Sequence, residues 1–350
     1  MNRLAFASLL VPGLLIPACF GGERAATGEC PAGETCSALT PRGLEFVGAD
    51  MTNVLGLSGP SPTAIGGTQD VQLRYDPTQG RFVALDLPFD ADDDGGNGVK
   101  VDHTAGNIVT VRGVAARSNY LRITDAATGE LFDRKELAGA AIDSIELVPN
   151  TFDLVPTDRE LAFIAGDVEV GVALLGQVQD SGGPTEQRIV DQSMQLTLAG
   201  ATQRAWDRVE LPAATAGTSA LAVTAGERPT ANLDVVVVDH LDQLVIDPAS
   251  SATVAPNATA EVCFDGLAND RYVAGLVWHF LVDGVAKAGS GNCVGVTTTA
   301  TSGTITVIGS ADGMSATATV AIAAARSDQP ARARWIRPSP AGDRAALVSR

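Results

Sequence analysis

One short stretch of this sequence has the residue types and spacing of a calcium-binding loop. Asp90, Asp92 and Asp94 alternate with other residues and are followed by glycines, in the pattern D-x-D-x-D-G. In a tight loop, side chains at alternate positions converge on one point, and calcium prefers carboxylate oxygens. With a carbonyl oxygen from Gly96, these residues form a candidate metal site, although Val101 stands where such loops carry a closing acidic residue. The alternative is an acidic hairpin loop without metal.

Catalytic patterns are weaker than this metal pattern. The three histidines, His103, His240 and His279, each have an aspartate close by in sequence. A hydrolase would need one of them to meet an activated serine, but the G-x-S-x-G motif is absent from the sequence. Zinc-protease, phosphate-loop and dinucleotide-binding motifs are absent as well. We therefore expect no catalytic residues, and calcium is the one cofactor to consider. A hydrolase on a β scaffold stays as an alternative.

The N-terminus has the pattern of an export signal that ends at a cysteine. Arg3 precedes an apolar stretch, residues 4–17, which is shorter than the roughly 20 apolar residues of a membrane span. The run Leu15-Ile-Pro-Ala-Cys19 resembles the lipobox of bacterial lipoproteins, with an aliphatic residue three before the cysteine and a small residue directly before it. The resemblance implies removal of residues 1–18, lipid on Cys19 and, because Phe20 is not an aspartate, the outer membrane. The alternative is an ordinary secretory signal.

Four cysteines remain once Cys19 is set aside, and an even number in an exported chain favours two disulfides. Three connectivities are possible. Closeness in sequence favours Cys30 with Cys36 and Cys263 with Cys293, because the two pairs lie near opposite ends of the chain. A zinc site is the rival interpretation, and it is disfavoured because the sequence has no CxxC pair.

Composition and charge indicate an acidic β protein. Of 350 residues, 45% are hydrophobic and only 5% aromatic, and short Val-, Thr- and Ile-rich runs alternate with Gly, Pro, Asp and Asn. The net charge of −17 repels phosphate backbones, so nucleic acid is not an expected partner. Residues 326–350 carry six arginines and are expected to form a disordered basic tail.

The region between signal and tail repeats itself at intervals of about a hundred residues, which indicates an array of similar units. Asp143–Pro149 resembles Asp242–Pro248, and the run over 109–124 resembles that over 209–224. The run that begins at Ile305 is equated with the run over 209–224, so each unit is expected to end with a strand, a short turn and a second strand. Three units are predicted after a lipidated tether over 19–41, and they cover 42–140, 141–240 and 241–325.

The third unit resembles a bacterial immunoglobulin-like (Ig-like) domain. Leu244–Cys263 has that family's succession of strand, proline turn, short strand and long strand, and Trp278 falls where the family has a core tryptophan. The resemblance implies an Ig-like β-sandwich for 241–325. The internal repeat extends this expectation to tandem sandwiches, an all-β fold, and predicts that 241–325 folds alone. Cys293 follows Trp278 too closely for an antibody-type disulfide, so its bond to Cys263 is expected to staple a core strand to the loop after Trp278.

Together these observations predict a lipid-anchored protein of the cell envelope with a non-catalytic structural or binding role. Its expected partners are the membrane, through the lipid on Cys19, and another envelope or surface component. A calcium-dependent surface adhesin that uses the Asp90 loop is the alternative from a different functional class.

Overall fold

The computed structural model describes residues 35–36, 43–48, 61–76, 82–95, 97–149, 160–180, 183–247, 250–298 and 302–323. Every regular element in these ranges is a β-strand. The strands build three tandem sandwiches, so the predicted fold class, all-β with Ig-like sandwiches, is confirmed. The predicted signal peptide (1–18) and basic tail (326–350) lie outside the described residues, as does the predicted tether (19–41) apart from 35–36.

Nine described strands form the first sandwich: β1 (Leu44–Gly48), β2 (Thr63–Ala64), β3 (Thr68–Tyr75), β4 (Val83–Ala84), β5 (Phe89–Asp92), β6 (Val99–Ala105), β7 (Ile108–Gly113), β8 (Ser118–Asp125) and β9 (Leu131–Ala140). One sheet has the order β1-β3-β7-β6, with β4 on β3, and the other has the order β2-β9-β8-β5. Lettered along the chain, these are the A-B-E-D and A′-G-F-C sheets of an Ig-like fold. Both sheets contribute to one core, in which Val71 and Val109 meet Leu121 and Phe132.

The second sandwich repeats this arrangement with β10 (Ser144–Pro149), β11 (Leu161–Ile164), β12 (Gly166–Asp180), β13 (Gly183–Ile189), β14 (Gln195–Thr197), β15 (Thr202–Ala205), β16 (Arg208–Ala214), β17 (Gly217–Thr224) and β18 (Ala231–Val238). Its sheets have the orders β10-β12-β16-β15, with β13 on β12, and β14-β17-β18-β11. The strand positions are therefore those of the first sandwich.

The third sandwich contains β19 (Gln243–Ile246), β20 (Thr253–Val254), β21 (Thr259–Ala268), β22 (Arg271–Ala274), β23 (His279–Val282), β24 (Val285–Lys287), β25 (Cys293–Thr297), β26 (Gly303–Ala311) and β27 (Met314–Ile322). One sheet has the order β20-β27-β26-β23-β24. In the other, β19 and β25 flank β21, and β22 connects this sheet to β11 of the second sandwich.

The side-chain pattern explains why these segments are strands. In β27 the residues Ser315, Thr317 and Thr319 are exposed, and the residues between them face the core or its edge. Such a period of two buries one face of a strand and leaves the other in water. Beta-branched residues such as threonine and valine also favour the pleated backbone.

Sheet topology corrects one part of the predicted repeat. Strands β7 and β8, over 108–125, lie in different sheets, whereas β26 and β27 form one hairpin. The hairpin that closes the first sandwich is β8–β9, and its equivalents are β17–β18 and β26–β27. Equating the run at Ile305 with those at 109 and 209 was therefore wrong, because the same period of two recurs in every strand.

In all three sandwiches, a strand near the beginning of the unit pairs in parallel with the last strand. The pairs are β2 with β9, β11 with β18, and β20 with β27. Because both members of a parallel pair run the same way, the chain reaches each sandwich at one end and leaves it at the opposite end. The three sandwiches are therefore joined end to end.

Candidate functional site

The acidic stretch predicted to bind calcium begins in a strand. Asp90 and Asp92 belong to β5, where they pair with Thr124 and Arg122, and only Asp94 lies in the turn that follows. A strand spaces alternate residues about 6.5 Å apart, so the two carboxylates do not converge as they would in a tight loop. Gly96 lies outside the described residues, and among those described no group of three acidic, cysteine or histidine residues is placed to hold a metal ion. Calcium binding stays a prediction.

The three histidines lie in different parts of the fold, and all three are exposed. His103 in β6 approaches the hydroxyl of Thr110 at 3.3 Å, and His240 lies 3.9 Å from Asp242. Within the described ranges, no serine hydroxyl is hydrogen-bonded to any of these rings. The hydrolase alternative therefore gains no support from this part of the chain.

The predicted disulfide between Cys263 and Cys293 is present. It joins directly opposed residues of β21 and β25 within one sheet. The bond therefore links two strands, and the expectation that it reaches a loop was wrong. Cys36 is also disulfide-bonded, whereas Cys30 lies outside the described residues, so that pairing stays a prediction.

Cys19, the predicted lipidation site, lies outside the described residues as well. In the ranges that are described, there is no helix of the length and apolar character needed to cross a membrane. The described residues nearest to Cys19 in the sequence are Thr35 and Cys36. The carbonyl of Thr35 accepts a hydrogen bond from the N–H of Leu131, at the beginning of β9.

Extensive contacts lie at the two joints, where one sandwich meets the next. At the first joint, the carboxylate of Asp191 is fully buried between sandwiches one and two. It accepts hydrogen bonds from the backbone N–H groups of Thr68 (3.1 Å), Ser193 (2.9 Å) and Gly226 (2.7 Å), and from the hydroxyl of Ser193. Thr68 belongs to the first sandwich and the other two donors to the second, so one carboxylate holds both.

Backbone hydrogen bonds surround this carboxylate. Val190 accepts from Ala64 at 2.9 Å and donates to Pro62 at 2.8 Å, and the side chain of Gln192 accepts from Asp70. The approach requires glycine, because a Cβ at residue 67 would lie 2.5 Å from the Asp191 carboxylate. The first two sandwiches therefore meet in a direct polar contact.

An ion pair lies beside the first joint. Arg112 donates two hydrogen bonds to Asp102, and this holds the pKa of the Asp102 carboxyl below its usual value. The same hydrogen bonds raise the pKa of Arg112, and the charge of Asp191 adds to that effect. Both side chains are partly exposed, so the pair contributes little stability. It keeps a positive charge close to the buried carboxylate.

The second joint is a shared sheet. Strand β11 pairs in parallel with β18 of its own sandwich and with β22 of the third. Its side chains alternate between two cores: Leu161 and Phe163 face the second sandwich, and Ala162 and Ile164 face the third. The same sheet thus covers both cores.

Tyr272 shows how far the third sandwich reaches into the second. It is fully buried, and it packs with Ala274 in the core of sandwich two although both residues belong to β22. Its N–H donates to the carbonyl of Glu160 at 2.8 Å. A fragment over 241–325 would expose these side chains, so the structure does not favour the expectation that this unit folds alone.

Comparison with known proteins adds little to this description. Neither a protein-family model nor a curated protein matches the chain. Among solved structures, the N-terminal four Ig domains of Dscam1 isoform 7.44 share 13% identity, cover 80% of this chain and 72% of their own, and give a TM-score of 0.19. The fibronectin(III)-like modules of Clostridium thermocellum CbhA share 13% identity over 53% of this chain and 97% of that one, with a TM-score of 0.20. Domains 5-6 of the S-layer protein SbsC share 16% identity over 51% and 93%, with a TM-score of 0.21. Scores this low do not identify a family or a role for this chain, and the Ig-like fold is seen in the order of the strands within each sheet.

Proposed function

We propose that this protein is a lipid-anchored spacer of the bacterial outer membrane, with a structural or binding role rather than a catalytic one. The observation that carries the proposal is the pair of joints. Separate domains on one chain usually move relative to one another. Here a buried carboxylate holds the first joint and a shared sheet holds the second, so the end-to-end order of the sandwiches becomes a fixed separation.

The position of residues 35–36 supports one orientation of the spacer relative to the membrane. They lie at the beginning of β9, and the chain leaves that strand for the second sandwich at Ala140. Residues 35–36 are thus at the end of sandwich one that lies away from the first joint, and we propose that the lipid on Cys19 attaches the protein from this end. In this arrangement the third sandwich is the part farthest from the membrane.

The spacer can be tested by measuring a distance distribution across both joints. Spin-labelled unnatural residues at Thr128 in the first sandwich and Lys287 in the third would avoid disturbing the native cysteines. Pulsed electron resonance should give one narrow distance, and Asp191→Asn should broaden it. A pair at Thr197 and Lys287, which spans only the second joint, is the matched control and should stay narrow. A broad distribution of the distance between Thr128 and Lys287 in the native chain would contradict the proposal.

The anchor needs its own test. Cys19→Ser should abolish metabolic labelling with a fatty acid and release the protein from the membrane fraction, because the acyl chains provide its membrane affinity. Unchanged fractionation of this variant would show that the lipidated cysteine is not the anchor. That result would leave the spacer geometry standing.

A further inference from the structure

One face of the third sandwich carries no Asp, Glu, Lys or Arg. It is the outward face of β23, β26 and β27, and we call it the neutral face. Strand register and exposure assign ten residues to it: His279, Leu281, Thr304, Thr306, Ile308, Ser310, Ser315, Thr317, Thr319 and Ala321. Leu281 pairs with Ile308 and Ile308 with Thr317, so an apolar pair lies among hydroxyl groups.

The border of the neutral face carries three charged residues, and both of its carboxylates accept hydrogen bonds. Asp283 and Asp312 lie in the turns at its two ends, and their carboxylates accept hydrogen bonds from the N–H groups of Thr306 and Leu241. Lys287 on the neighbouring β24 pairs with the buried Phe280. These charged residues therefore bound the face without crossing it.

The other sandwiches do not share this property. On the equivalent sheet, the outward face of the first sandwich carries Arg122, Arg134 and Glu136, and that of the second carries Asp234. Protein surfaces are about 25–35% charged, so ten surface positions would usually include about three charged residues. The neutral face has none, although the chain contains 41 acidic and 24 basic residues.

We propose that the neutral face is a self-association surface that takes the same face of a second copy of this chain. Two chains of net charge −17 repel each other over most of their surfaces, and an unpaired carboxylate buried between them would be costly. The neutral face avoids both penalties. A two-fold contact would bury Leu281 and Ile308 from each copy, and the surrounding hydroxyls can both donate and accept hydrogen bonds across it.

Two other occupants fit less well. A carbohydrate usually stacks on aromatic rings, and the neutral face has no Trp, Tyr or Phe. The basic segment over 326–350 has a charge that complements the acidic body of the protein rather than an uncharged face. A second copy is therefore the occupant that the charge distribution favours.

The size of the face sets the strength of the contact. The face takes about seven residues from each of β26 and β27 and four from β23. At about 3.4 Å per residue on strands about 4.8 Å apart, they cover about 290 Å². A standard interface takes about 800 Å² from each partner, so this contact should be transient and visible only at high concentration. This self-association does not depend on the lipid anchor. If two copies did not associate, the proposed spacer would stay unaffected.

Sedimentation equilibrium of the full exported chain, with Cys19→Ser to remove the expected acylation site, tests the proposal. The weight-average mass should rise with protein concentration up to ~1 mM. Association should strengthen as salt increases, because salt screens the repulsion between two acidic chains. Thr317→Asp places a carboxylate from each copy in the contact and should weaken association at least about tenfold.

The matched control is Thr197→Asp, which adds the same charge to an exposed position of β14 in the second sandwich. It should change association less than about twofold, since that charge lies outside the contact. Equal losses for the two variants, or a mass independent of concentration, would overturn the proposal. Association that weakens with salt and disappears on deletion of 324–350 would overturn it too, because the basic segment on the acidic body would then be the contact.

Discussion

Tyr272→Ala should destabilise a sandwich to which Tyr272 does not belong. The side chain is fully buried in the core of sandwich two, although its strand belongs to sandwich three. Truncating a buried aromatic residue to alanine costs about 3–5 kcal/mol, from lost apolar burial and the cavity left behind. With a urea m value of about 2 kcal/mol/M, a loss of about 4 kcal/mol lowers the unfolding midpoint by about 2 M.

Two tryptophans make the effect measurable in each sandwich separately. Trp206 packs against the core of the second sandwich and Trp278 against that of the third. Incorporated 5-fluorotryptophan gives each of them its own fluorine resonance during a urea titration. In Tyr272→Ala, the midpoints read at both residues should fall.

A control variant separates this contact from a general loss of stability. Val320→Ala removes a buried side chain from the third sandwich alone. When the two variants lower the midpoint at Trp278 equally, Val320→Ala should lower the midpoint at Trp206 less than Tyr272→Ala does. The effect of Val320→Ala reaches sandwich two only through the joint. If Tyr272→Ala left the Trp206 midpoint unchanged, the shared-sheet description of the second joint would be refuted.

Three further changes test other parts of the structure. Asp191→Asn replaces an acceptor of several hydrogen bonds with an amide whose N–H₂ group faces the same donors. It should lower the free energy of unfolding by about 2–4 kcal/mol in urea titration. The control Asp90→Asn, at an exposed position, should change this free energy by less than about 0.5 kcal/mol. Ala213 has a φ of 49°, so Ala213→Gly should raise the calorimetric melting temperature by relieving about 1 kcal/mol of strain, and a lower temperature would contradict this reading. Replacing Cys263 and Cys293 together by alanine reopens a loop of sequence separation 30 and should cost about 3–4 kcal/mol in guanidinium titration, whereas a loss below about 1 kcal/mol would mean that the bond does not restrain the unfolded chain.

The fold class could be predicted from sequence because the period of two is local. Alternation in β27 gives the strand and the face that is buried, and no distant contact is needed to find it. The same local signal does not say which sheet a strand joins. This is why the run at Ile305 was equated with the wrong strands of the first two sandwiches.

The conformation of the acidic stretch was misjudged for a related reason, while calcium binding itself stays a prediction. Residues two apart share a face both in a tight loop and in a strand, so the spacing of Asp90 and Asp92 fits either conformation. Phe89 and Ala91 decide between them, because both are half-buried and pack against the core of the first sandwich. Apolar residues between the acidic ones are the signal of a strand.

The two joints differ in how visible they are in the sequence. Asp191 resembles any other acidic residue until the fold brings Thr68 to it from 123 positions away. The second joint does leave a signal. Leu161–Ile164 and Val235–Val238 are uninterrupted apolar runs, which is the pattern of strands buried on both faces.

That difference in chemistry gives the joints different roles in the proposed spacer. The second joint is apolar on both faces of one sheet, so it forms together with the two cores and joins sandwiches two and three into a single body. The first joint depends on hydrogen bonds converging on Asp191. Among the described residues of sandwich one, the buried side chains that reach the next core are the small ones of Ala64 and Ala140. Hydrogen bonds to a buried carboxylate are sensitive to direction, so this joint fixes an angle while burying little apolar surface. Sandwich one is therefore the more separable part of the chain, and Asp191, with the backbone hydrogen bonds around it, sets the angle between that sandwich and the other two in the proposed spacer.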